Sequence, residues 1–147
     1  LTVSGRGMLG VPGIAGRTFM ATAAAGASIL MISQSSSEQS FCFTVTEDKA
    51  PGVKASIEAA LYEEIAGRDV DEVTLQDDIV IITAVGSGMR GTPGVAGRVF
   101  TVLGAKGINV LAIAQGSSEC SISCVVSEVD LRDTVITLHD LALAEVA

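Results

Sequence analysis

Residues 29–45 read ILMISQSSSEQSFCFTV: a β-branched run ending at Gln34, a polar turn Ser35-Ser-Ser-Glu38, and a second apolar run from Ser40 to Thr46. So short a connection fits only a hairpin, so the spacing predicts two antiparallel strands, Ser28 to Gln34 and Ser40 to Thr46. Upstream lies GRGMLGVPG, residues 5 to 13, whose Gly5, Gly7 and Gly10 form a G-x-G-x-x-G. That pattern marks a dinucleotide site when a strand precedes it, a helix follows, and a parallel strand then ends near an acid that holds the ribose. Here the strand after the helix ends in Gln34 and the chain turns straight back. The nucleotide reading is therefore set aside. The glycines permit a sharp strand-to-helix turn and a close approach of backbone to some other group.

The same statement is made twice. GRGMLGVPGIAGRTF realigns on GSGMRGTPGVAGRVF, and GASILMISQSSSEQS on GINVLAIAQGSSECS, with about half the positions identical from Gly5 to Val45. A duplication of this kind is read before any other feature. In each copy an apolar strand comes first, Leu1 to Ser4 or Ile79 to Val85. The glycine turn follows, with Pro12 or Pro93 suited to the first turn of a helix. That helix runs to about Ala25 or Lys106, and in the second copy Ala96, Phe100 and Leu103 form its core stripe. Gly26 and Gly107 stand where a C-terminal cap belongs. The second-copy hairpin strands are Ile108 to Gln115 and Ser121 to Ser127. A second helix has apolar spacing at Val53, Ile57 and Leu61, or at Leu131, Val135, Leu138 and Ala142. Val73 to Leu75 closes the first copy as a strand.

The predicted order is β-α-β-β-α-β, an α+β, ferredoxin-like unit whose antiparallel four-stranded sheet carries both helices on one face. The expected division is 1–76 and 77–147. The second copy has no residues for its fourth strand, so that strand is either missing or supplied by an earlier segment of a parent chain. The chain does not start with Met and reads as a piece of a longer one.

Composition narrows the partners. The 147 residues are 48% hydrophobic but only 3% aromatic, so the core is aliphatic. A net charge of −8 repels phosphate backbones and makes nucleic acid an unfavourable partner. No apolar run approaches the roughly 18 residues of a membrane span, and no signal peptide is visible. Three cysteines, Cys42, Cys120 and Cys124, with one distant His139, suggest neither a disulfide framework nor a metal site. Cys120 and Cys124 are expected on one face of a strand. The Ser35–Ser37 run has no base beside it to make a nucleophile, and neither a catalytic residue nor a cofactor is expected. Arg17 and Arg98 are expected on the exposed side of the first helices, and Glu38 and Glu119 as turn-fixing residues.

With the paired units, the GMLGVPGIAGRTF and GMRGTPGVAGRVF turns, and the segments ISQSSSEQS and IAQGSSECSIS, nearly the whole chain resembles the tandem ACT domains of aspartate kinases. It is most like the threonine-sensitive forms, including those fused to homoserine dehydrogenase. The resemblance implies a regulatory, cytoplasmic fragment that binds an amino-acid effector, feeds its signal to an attached kinase domain, and associates through its sheets into a homodimer or larger. An ACT scaffold that does not use its site, or a sensor for another enzyme, is the alternative. The resemblance further implies effector contacts from Gln34 and Gln115, and from Ile32 and Ile113 two residues earlier. It implies that Pro12, Gly13, Ile14 and Ala15, with Pro93, Gly94, Val95 and Ala96, supply the turn and its backbone N–H groups. Asn109, and Ser28 in the other copy, stand where second-strand polar residues meet the amino acid. Lysine-sensitive relatives carry an acid in the second strand; Leu30 and Leu111 stand there in this chain, which favours threonine.

Physical chemistry points the same way. Helix-start N–H groups suit a carboxylate, strand-edge carbonyls an ammonium, and a glutamine amide can both donate to and accept from a hydroxyl.

Overall fold

The computed structural model describes residues 1–144 and divides the chain into two compact units, Leu1–Asp77 and Asp78–Ala147. In the first unit, β1 (Thr2–Ser4) leads through a 3-10 turn at Arg6–Met8 to α1 (Ile14–Ala24). β2 (Met31–Gln34) and β3 (Ser40–Thr44) form the hairpin. Then come α2 (Ala50–Ala60), α3 (Tyr62–Gly67) and β4 (Glu72–Thr74). The strands pair antiparallel in the order β2-β3-β1-β4. Helix and sheet meet where Phe19 of α1 sets its ring edge-on to both Phe41 and Phe43, each centroid 5.8 Å away. Val53, Ile57 and Leu61 are fully buried against that layer, which is the periodicity expected of the second helix.

The second unit repeats the plan with β5 (Ile79–Val85), α4 (Val95–Ala105), β6 (Ala112–Gln115), β7 (Ser121–Ser127) and α5 (Leu131–Ala144). Its sheet has three strands in the order β5-β7-β6, so one side of β5 has no neighbour among the described residues.

Several local expectations are corrected. Pro12 and Pro93 are not in the helix: Gly13 and Gly94 take the left-handed conformation, φ 90° and 83°, and the helix starts after them. Left-handed backbone cannot continue a right-handed helix, and only glycine takes it at little cost. β2, β3 and β6 are shorter than read, because pairing and not apolar content delimits a strand. In α5 the buried positions are Thr134, Thr137 and Leu138, while Leu131 and Val135 are 40% and 48% exposed. Thr134 occupies the place of Val53 in the duplication, and its buried hydroxyl has no hydrogen-bond partner among the described residues. Cys120 precedes β7 and is half-buried, whereas Cys124 is in the core, where burial raises the thiol pKa. The cap glycines behave as expected. Gly26 and Gly107 have φ 71° and 73°, and the following N–H groups of Ala27 and Ile108 reach back to Thr22 and Leu103.

Candidate functional site

The glycine-rich turns divide into two jobs. Gly10 and Gly13, like Gly91 and Gly94, have positive φ and make the turn itself. Gly5 and Gly7 answer a different demand: the backbone of residues 68–71 runs over them. A Cβ on Gly5 would lie 2.2 Å from the carbonyl oxygen of Asp69, and one on Gly7 would lie 2.6 Å from the Asp69 Cα. The close approach is therefore of the chain to itself, not to a pyrophosphate. In the second unit the same glycines are uncovered. A Cβ on Gly86 would meet only the Met89 side chain, at 3.4 Å, and one on Gly88 would meet nothing within 4 Å. An open groove of about 920 Å³ lies there, bordered by β5, the turn and α5, with Val135, Leu138 and His139 among its walls.

Because β1 and β2 both run antiparallel to β3, their C-terminal ends fall at one end of the sheet. The turn leaving β1, the start of α1 and Gln34 are thus gathered at that end, and the N–H of Gly5 donates to the carbonyl of Gln39 across it at 2.9 Å. The second unit does the same with Gly86 and Cys120. No side chain caps α1 or α4, and neither first turn contains an acid. The N–H groups of a helix start have no partner within the helix. Both starts therefore present uncompensated positive ends, suited to a carboxylate. Gly13, Ile14 and Ala15 can offer N–H groups to it, as can Gly94, Val95 and Ala96. Pro12 and Pro93 have none and only shape the approach. The Ile14 side chain is itself core, 3% exposed.

Along β2 and the extended residues before it, burial alternates, with Ile29, Met31 and Ser33 turned toward the helices. Ser28, Leu30, Ile32 and Gln34 make the more exposed row on the outer face. Asn109, Leu111, Ile113 and Gln115 make the matching row on the second unit. The structure therefore brings the glutamines to the helix-start end. It leaves Ser28 and Asn109 six residues away, about 20 Å along an extended strand. Arg17 does not project free: it pairs with Glu64 of α3, whose side chain is only 13% exposed. The hydrogen bond from Arg17 holds the Glu64 carboxyl below the ordinary glutamate value. The contact that reading the chain missed is at Glu38 and Glu119, whose carboxylates accept from the N–H of Gly10 and Gly91 at 3.3 and 2.9 Å. Its trace in the sequence is the identical 28-residue spacing in both copies. Among the described residues no three metal-ligating side chains converge, and no helix is long and apolar enough to cross a membrane.

Two antiparallel split-βαβ units, each with an uncapped helix start and a strand-end glutamine at the same end of its sheet, define a paired small-domain regulatory module. The chain belongs to the ACT domain family, whose model matches residues 1–64 and 82–141. It is 38% identical over 139 residues to bifunctional aspartokinase/homoserine dehydrogenase 1, chloroplastic, of Arabidopsis thaliana, covering 95% of this chain and 15% of that protein. It is 40% identical over 137 residues to the bifunctional aspartokinase/homoserine dehydrogenase of Haemophilus influenzae, covering 93% and 17%. The chain thus spans less than a fifth of the length of these relatives. Among solved structures, the ligand-free regulatory subunit of aspartate kinase from Thermus thermophilus superposes with a TM-score of 0.74 at 29% identity, over 95% of this chain and 88% of that one.

Proposed function

We propose that the chain is the effector-sensing part of an aspartate kinase, and that it binds a small amino acid, threonine in preference to lysine. The observation that carries this reading is that in both units an uncapped helix start and a strand-end glutamine, Gln34 or Gln115, lie at the same end of the sheet. The helix start takes the carboxylate, and the glutamine amide satisfies a hydroxyl. Leu30 and Leu111 offer no counter-charge to a lysine side chain. Catalysis belongs to the rest of the parent protein, of which the bifunctional relatives are the guide, and the signal passes to its kinase domain. The free thiols and the absence of any membrane-spanning helix among the described residues suit the cytoplasm. The exposed apolar rows on edge strands β2 and β6 suit association of ACT sheets into a homodimer. The groove beside β5 suits an extended segment of the parent chain, laid over Gly86 and Gly88 as residues 68–71 lie over Gly5 and Gly7.

Calorimetric titration tests the reading. Threonine at about a hundred times Kd should stabilise the chain by roughly 2.7 kcal/mol, and lysine should do much less. Gln34→Ala and Gln115→Ala should each weaken threonine binding by about 1–3 kcal/mol, ten- to a hundredfold, with melting temperature unchanged. Unchanged affinity with lowered melting temperature would make the glutamines structural and favour a scaffolding module. A response to lysine but not threonine would overturn the choice of effector.

A further inference from the structure

We propose that Glu38 and Glu119 are positioning residues, whose carboxylates clip the glycine-rich turn to the strand hairpin and so fix where the open helix start stands at the glutamine's end of the sheet. The consequence for binding rests on the effector reading above; the clip itself stands on geometry. Both glutamates close tight hairpin turns, Glu38 N–H donating to Ser35 and Glu119 N–H to the Gly116 carbonyl. Both lie in the left-handed region, φ 57° and 59°. There a Cβ crowds the following carbonyl, and glycine or asparagine is the usual occupant. A glutamate placed there twice carries a strain that the turn alone does not require.

What offsets the strain is the side chain. Its oxygen accepts from the N–H of Gly10 at 3.3 Å in one unit and of Gly91 at 2.9 Å in the other, across 28 residues of sequence. These donors also lie on left-handed residues, φ 76° and 67°, where the turn reverses toward the helix. The turn is therefore fastened twice to the hairpin: at its beginning by the backbone bonds Gly5 to Gln39 and Gly86 to Cys120, and in its middle by the carboxylate. Only residues 11 and 12, or 92 and 93, separate the clipped glycine from the glycine that caps the helix. The carboxylate takes the N–H of Gly10 or Gly91 and not those of the helix start, which stays available to a ligand.

Glycine and glutamine variants of the 147-residue chain separate the clip from the turn. Glu38→Gly and Glu119→Gly remove the strain together with the clip. The melting temperature should stay level or rise by a few degrees. The amide proton resonances of Gly10 and Gly91 should move upfield, and the heteronuclear NOE of residues 9–12 and 90–93 should fall. Threonine affinity should weaken about tenfold. Glu38→Gln and Glu119→Gln keep an oxygen acceptor and should hold the turn order and the affinity within about threefold of the parent. Unmoved Gly10 and Gly91 resonances in the glycine variants would overturn the clip. Moved resonances with unchanged affinity would overturn its part in binding. If the unsubstituted chain binds no amino acid, the effector reading is what fails, and the amide resonances and turn order alone uphold or overturn the clip.

Discussion

Gly5 and Gly86 hold the same place in the two copies and meet different surroundings. The first lies under the backbone of Asp69 and Val70; the second opens onto a groove. Neither needs glycine for its own dihedrals, since both are extended, φ −175° and −162°. The whole effect of an added methyl is therefore steric. We expect Gly5→Ala to destabilise the first unit by about 3 kcal/mol or more, because backbone must shift to admit it. Gly86→Ala should change the second unit by no more than about 0.5 kcal/mol in this chain. Urea unfolding followed by circular dichroism measures both. In the full parent protein a segment lying in the groove would make Gly86→Ala as costly as Gly5→Ala, so the same pair of variants also tests that occupant. That Gly5 serves a close approach was legible in the sequence. What approaches was not, because residues 68–71 are brought back by the tertiary fold from more than sixty positions away.

At the scale of elements, the helices show where periodicity is sufficient and where it is not. Val53 and Ile57 of α2, with Leu61 just past its end, have no large apolar competitors on adjacent faces, so spacing and burial coincide. In α5 apolar residues crowd two neighbouring stripes, and the sheet selects the one containing Thr134 and Leu138. The start of α1 differs from the sequence expectation for a related reason. Pro12 is compatible with a first helical turn, but burial of Ile14 and the left-handed Gly13 put the start beyond it. The short α3 had no signature of its own, yet it carries Glu64 to Arg17 and so ties the second helical segment to the first. This tie predicts a pH dependence. Arg17 lowers the folded-state pKa of Glu64 below the ordinary value of 4.5. Its stabilisation is thus present above that value and is lost as pH falls through the lower folded value. Glu64→Gln should lower the urea midpoint of the first unit at pH 7, and the difference from the parent should shrink toward pH 3. A gap that persists unchanged at pH 3 would mean that packing, not charge, makes the contact.

At the scale of the whole molecule the open features are sheet edges and outer faces. β2 and β6 are edge strands, and Ile32 and Ile113 on them, with Leu30 and Leu111 just before them, expose 40–57% of their surfaces. An apolar row on an edge strand invites pairing with another sheet. Sedimentation velocity should find the chain as a dimer or larger. The double variant Leu30→Lys, Leu111→Lys should shift it toward monomer without unfolding either unit, because both side chains face away from the cores. A chain that sediments as monomer throughout the micromolar range would remove the homodimer from the proposal.

The duplication, the hairpin and the glycine caps are written in contiguous residues, and each depends on backbone rules that act within a few positions. For that reason the class of fold, its doubling, and the ranges of β5 and β7 followed from the chain alone. The covering of Gly5 by residues 68–71, the pairing of Arg17 with Glu64, the clip from Glu38 to Gly10 and the choice of stripe on α5 all join residues that the chain separates. They were decided only when the helices closed on the sheets, because contact between distant segments depends on packing that no local pattern encodes.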